Sequence, residues 1–165
     1  MKFKHSITIV FLTVITVAIA CTKGGELDTL SGDVYTVTGN ATSKQLVPAI
    51  DTISTGTFTG RYDVQARNFT YTVAWDSLWA NSKKDTMTGV KFFGPAPAAT
   101  NGPLIKTVSL TSTNLRSSIT LGFAGSTQFS DEQYASLLEG KIYYIITTIR
   151  FPNGIIRGQL DAKKQ

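Results

Sequence analysis

Residues 68–75 read NFTYTVAW. Phe69, Tyr71, Val73 and Trp75 fall on one parity, and Asn68, Thr70, Thr72 and Ala74 on the other. Strand side chains alternate between faces, so this spacing places four large apolar groups on one side and polar or small groups on the other. Such a face must be covered, which predicts a sheet packed against a second layer. Working outward, Val34–Thr38, Gly56–Val64, Val90–Phe93, Leu104–Leu110 and Ser117–Phe123 read as further strands. Tyr143–Arg150 and Ile155–Asp161 flank Pro152-Asn153-Gly154, whose Asn-Gly pair suits a hairpin because it tolerates positive φ. One segment breaks the pattern. Ser130 with Gln133 three residues on forms a capping box, Tyr134, Leu137 and Leu138 follow at helical spacing, and Gly140 can close the turn. The reading is all-β, an antiparallel sandwich or barrel with one short helix near residues 131–139.

The N-terminus has a different character. Lys2, Lys4 and His5 precede the uncharged, mostly apolar run SITIVFLTVITVAIA at residues 6–20. That is the layout of an export signal, and the run is short for a membrane span of about 20 residues. Ala18-Ile19-Ala20 leads into Cys21, the single cysteine of the chain. Small residues before one cysteine resemble a bacterial lipoprotein signal, in which the cysteine becomes the lipid-modified N-terminus. An exported chain with one thiol has no intramolecular partner for it, and lipid attachment at Cys21 explains its position. Residues 1–20 are expected to be the signal and residues 21–32 a flexible tether, reaching roughly 18 Å. Thr22 is not the aspartate that retains some lipoproteins at the inner membrane, so the outer membrane of the cell envelope is the expected address. Residues 162–165 read as a polar tail.

Charge and composition narrow the function. The 165 residues carry 16 Lys+Arg against 11 Asp+Glu, a formal charge of +5. Loss of Lys2 and Lys4 with the signal lowers this to +3, so the targeting segment accounts for much of the basic balance. Lys83-Lys84 and Lys163-Lys164 are isolated pairs, and no dense basic stripe invites nucleic acid. The single histidine, His5, lies in the signal, and Cys21 is assigned to lipid. The domain that remains has no imidazole and no thiol, which excludes Ser-His-Asp and Cys-His catalysis and most zinc or copper sites. No calcium loop, Walker loop or dinucleotide fingerprint is present. Asp131-Glu132 suits the first turn of the helix. No catalytic residue, metal ligand or cofactor is assigned. Trp75 and Trp79 are candidates for a carbohydrate-stacking platform, with strand packing as the alternative. A carboxylate pair meeting only in the fold, acting on envelope polysaccharide, is the remaining enzymatic alternative.

Three segments, in order, resemble the CHRD domain, a family named from chordin and widespread in bacterial exported proteins. The first is Gln45-Leu46-Val47-Pro48-Ala49 with Thr55-Gly56, similar to E-V-P-P…T-G. The second is Val90-Lys91-Phe92-Phe93-Gly94-Pro95-Ala96 with Asn101-Gly102-Pro103, similar to A-H-I-H-G-P-A…G-P. The third runs from Leu137 through Gly140 and Tyr143-Tyr144 to Pro152-Asn153-Gly154-Ile155-Ile156-Arg157-Gly158-Gln159-Leu160, similar to L-x-x-G-x-x-Y-V-N-V-H-T…P-x-G-E-I-R-G-Q-L. Together they span residues 33–161. The resemblance implies an all-β, Greek-key-like sandwich and a binding or surface-architecture module. Where the family pattern has histidines, this chain has Lys91, Phe93 and Thr147, and Ile155 replaces the glutamate. No active site is therefore carried over, and Arg157 is assigned a structural role, pairing with a carboxylate or capping a strand end. The expected partners are the membrane, through the lipid anchor, and an envelope glycan or protein. Asp28-Thr29-Leu30, Asp51-Thr52-Ile53, Asp76-Ser77-Leu78 and Asp85-Thr86-Met87 also resemble the O-glycosylation sequon of Bacteroidetes-type exported proteins.

Overall fold

A computed structural model describes residues 32–76, 78, 85–109, 118–121 and 129–165. The signal segment, Cys21, nearly all of the expected tether, Ser77, Trp79 and the Lys83-Lys84 pair lie outside these residues. Among the described residues no helix is long and apolar enough to cross a membrane.

The strands are β1 (Val34–Thr42), β2 (Thr55–Asp63), β3 (Asn68–Asp76), β4 (Met87–Phe93), β5 (Leu104–Ser109), β6 (Ser118–Leu121), β7 (Tyr143–Thr148), β8 (Ile156–Gln159) and β9 (Asp161–Lys164). One 3-10 turn spans Ser43–Gln45, and one helix, α1, spans Asp131–Leu138. Eight strands lie in the order β5-β4-β7-β8-β1-β2-β3-β6, and β9 pairs with β1. Every pairing is antiparallel.

The sheet is strongly curled. Phe58 on β2 lies 6.0 Å from Phe92 on β4 and 5.1 Å from Tyr144 on β7, centroid to centroid. Tyr71 on β3 lies 5.2 Å from Phe92. These strands are far apart in sheet order, so their rings meet only because the sheet folds over on itself. The two packed layers are thus two wings of one continuous sheet. The opening stretch behaves as its alternation dictates. Phe69, Tyr71, Val73 and Trp75 are buried in this core, and the intervening residues of β3 are half-buried. Each large ring so buried contributes on the order of 2–3 kcal/mol.

Strand β7 is buried at all six positions. Tyr144 and Ile146 join the main core, and Tyr143 and Ile145 join a second cluster with Leu46 and Ala96 on the opposite face. A strand covered on both sides has no reason to alternate, which is why YYIITT shows no polar parity. Helix α1 starts as its capping box predicts. Ser130 Oγ accepts from the Gln133 N–H, and Gln133 Oε1 accepts from the Ser130 N–H at 3.0 Å. Gly140 takes φ +66° just beyond the helix. Leu137 is buried and Tyr134 stacks on Tyr62 at 5.4 Å, while Leu138 stays 38% exposed.

The expected polar tail is instead a strand. Residues Asp161–Lys164 pair with Tyr35–Thr38 of β1. The segment has no apolar alternation of its own, so its conformation comes from the partner strand. Lys164 Nζ bonds Asp33 Oδ1 at 2.7 Å and holds it in place.

Candidate functional site

The outer face of β4 and β7 is set by register. Gly89 pairs with Thr147, Lys91 with Ile145 and Phe93 with Tyr143, so these six residues share a face. Lys91, Phe93, Tyr143 and Ile145 form the floor of a groove of about 720 Å³. This size falls within the usual range for small-molecule sites.

Three loops wall the groove. The first, residues 46–50, is organised by buried Ser43, whose Oγ donates to Thr52 O at 2.8 Å and whose carbonyl accepts from Leu46 and Ile50. The second, around Asn101-Gly102, is tied to the first by Asn101 Nδ2, which donates to Val47 O at 2.9 Å. It is tied to the floor by the Gly102 N–H, which donates to the Tyr143 hydroxyl at 3.0 Å. The third is the β7–β8 connection. Lys91 Nζ donates to Pro152 O at 3.1 Å, and Gly154 turns the chain with φ +128°. The Asn-Gly pair therefore works through Gly154, inside a longer connection from Thr148 to Ile156.

Beside Tyr143 on the same face, paired with Ile145, lies Arg157, which is 1% exposed. Its guanidinium carbon sits 3.6 Å from the centroid of the Tyr143 ring, and Tyr143 is stacked on Phe93 at 5.3 Å with planes 9° apart. A cation over a ring face is attracted by the ring quadrupole. The guanidinium also donates to Pro97 O, Gln159 Oε1 and Asn101 Oδ1 at 3.3–3.5 Å. Among the described residues it has no carboxylate partner. Burial lowers its pKa from the ordinary guanidinium value, which the nearby Tyr143 opposes. Gln159 completes the clamp, donating to Ala96 O at 3.0 Å and Gly140 O at 2.7 Å. Arg157 is thus structural, but through one carbonyl, two amide oxygens and a ring in place of the expected carboxylate. The Arg-x-Gln spacing puts both side chains on the outer face, where they fix the loop that carries Asn101.

The lining contains Lys91 and Arg150 and no aspartate, glutamate, histidine or cysteine. Among the described residues no group of three metal-ligating side chains comes together. Trp75 lies elsewhere, 7% exposed in the main core, so it presents no ring face to a sugar, and its apolar parity on β3 accounts for its place. Trp79, the other platform candidate, is outside the described residues. Of the Asp-Ser/Thr sites, Thr52 and Thr86 are half-buried.

Sequence reading reached Lys91, Phe93 and Thr147 only as departures from a pattern of histidines. Their register now unites them. Lys91 and Phe93 open into the groove, and Thr147 is buried beside them on the same face, its Oγ1 donating to Gly89 O at 3.2 Å. The spacing of 91 and 93 on one strand was the available signal. Tyr143 and Arg150 carried none, because they meet the other walls only in the fold.

No curated protein and no solved structure matches the chain. The CHRD domain family model matches residues 37–160, well over half of the sequence and all of the groove. The chain therefore belongs to the CHRD domain family.

Proposed function

We propose that this protein is a non-enzymatic binding module of the bacterial cell envelope, anchored by lipid at Cys21 and taking its ligand in the groove over β4 and β7. The observation that carries the reading is the groove itself, an open site of about 720 Å³ lined by Phe93, Leu104 and Ile145 among others. Its lining lacks the carboxylate, imidazole or thiol that a hydrolytic step would use, which favours binding over catalysis. The tether and anchor rest on the sequence around Cys21, and the outer membrane is the address they favour.

Capture from envelope extract by the full-length chain tests the groove. Leu104 is 56% exposed in the lining, so Leu104→Trp fills the groove without touching the core. Wild type is expected to retain an envelope component that Leu104→Trp loses. Equal capture by both proteins contradicts the reading.

A further inference from the structure

We propose that Asn153 is a site of spontaneous modification, where the β7–β8 connection loses ammonia and gains an aspartyl or isoaspartyl carboxylate. This goes beyond the binding-module reading and does not depend on it. The chain has two Asn-Gly pairs, Asn101-Gly102 and Asn153-Gly154, and both line the groove. An asparagine before glycine is open to attack by its own neighbour, because glycine has no Cβ to shield the main-chain nitrogen. That nitrogen bonds to the asparagine Cγ and the Cγ–Nδ2 bond breaks. The side-chain amide leaves as ammonia, carrying away the proton of the glycine N–H. Water then opens the five-membered imide at either carbonyl. One product is aspartate. The other is isoaspartate, whose main chain runs through the side chain and is longer by one carbon.

Both asparagines are exposed, but the structure holds them differently. Asn101 is fixed at each reacting group. Its Nδ2 donates to Val47 O at 2.9 Å, and its Oδ1 accepts from Arg157 Nη1 at 3.5 Å. The nitrogen that would attack it, on Gly102, donates to the buried Tyr143 hydroxyl at 3.0 Å. Ring closure there has to break all three contacts and disturb the packing around a buried cation. The Asn153 side chain makes no hydrogen bond among the described residues, so its Cγ is free to turn toward Gly154. The Gly154 N–H closes a surface turn onto Phe151 O at 3.0 Å, and such bonds open by local fluctuation. Asn153 therefore reacts where Asn101 is protected. The isoaspartyl form inserts its extra carbon next to Gly154, which is buried against Ile145 at φ +128°, so modified molecules should unfold at lower urea.

Peptide mapping by mass spectrometry tests this on the full-length chain, aged in warm, mildly alkaline buffer with and without urea. In the folded protein the peptide carrying Asn153 is expected to gain about one mass unit and to accept methyl groups from an isoaspartyl methyltransferase. The peptide carrying Asn101 should lag by at least about tenfold. In urea the two should react at comparable rates, because the contacts that protect Asn101 are gone. Asn153→Gln should remove the early signal and leave the unfolding midpoint in place. An unmodified Asn153 in the folded protein, or Asn101 keeping pace with it there, overturns the proposal. So does an early signal that persists in Asn153→Gln, or a gap between the two sites that survives in urea, since sequence rather than fold would then set it.

Discussion

At the scale of single residues, Arg157 is a buried cation held without a carboxylate partner among the described residues. Arg157 is enclosed and keeps its donors occupied with two side-chain oxygens, a carbonyl and a ring. Lysine cannot replace it, because one ammonium cannot both cover the Tyr143 ring and reach acceptors on two separate segments. Arg157→Lys and Arg157→Met are each expected to lower stability by about 2–3 kcal/mol, read as a shifted urea midpoint. An unchanged midpoint for both would mean that the clamp does not hold the loop. That Arg157 is structural was expected from the sequence, but through a carboxylate or a strand end rather than through carbonyl and amide oxygens. Its actual partners were not legible, since Pro97 and Asn101 lie some 60 and 56 positions away in sequence.

At the scale of elements, local chemistry was read well wherever one segment decides its own structure. The capping box fixes the start of α1, and Ser130→Ala should cost about 1 kcal/mol in thermal or chemical unfolding. The β7–β8 connection depends on Gly154. At φ +128° an added Cβ is strained and would collide with the Ile145 side chain. Gly154→Ala is expected to destabilise the domain by about 1–3 kcal/mol and to weaken envelope capture, because Ile145 forms part of the floor. Unaltered binding in that variant would separate the loop from the site. Strand β9 marks the limit of local reading. Asp161-Ala162-Lys163-Lys164 has the composition of a solvated end, and only pairing with β1 makes it a strand.

At the scale of the whole molecule, alternation predicted a sheet with one covered face, but period two is the same whether the cover is a second sheet or the same sheet curled over. The contacts between Phe58, Tyr71 and Phe92 decide it, and they join residues remote in the chain. The groove was illegible for the same reason, since its walls come from three separate loops. The packed rings also set the response to alkali. Burial raises the Tyr144 hydroxyl above its ordinary pKa of 10.0, and that of Tyr71 as well. A raised folded-state pKa means the contribution is complete below pH 10 and is lost as pH rises beyond it, because the unfolded chain releases the proton first. Unfolding free energy should therefore fall above about pH 10 by about 1.4 kcal/mol per pH unit for each such tyrosine. Urea melts of wild type and Tyr144→Phe should show the shallower decline in the variant, and parallel declines would contradict this. Cys21→Ser should release the protein from membranes and abolish fatty-acid labelling, and retention of both would contradict the anchor.

The central claim is that the face of β4 and β7 is where this CHRD domain meets its ligand. Hydrogen exchange of the full-length protein, with and without envelope extract, measures this most directly. The account predicts slowed exchange confined to residues 46–50, 101–104 and 150–154. Protection at other surfaces, with these three loops unchanged, would contradict it.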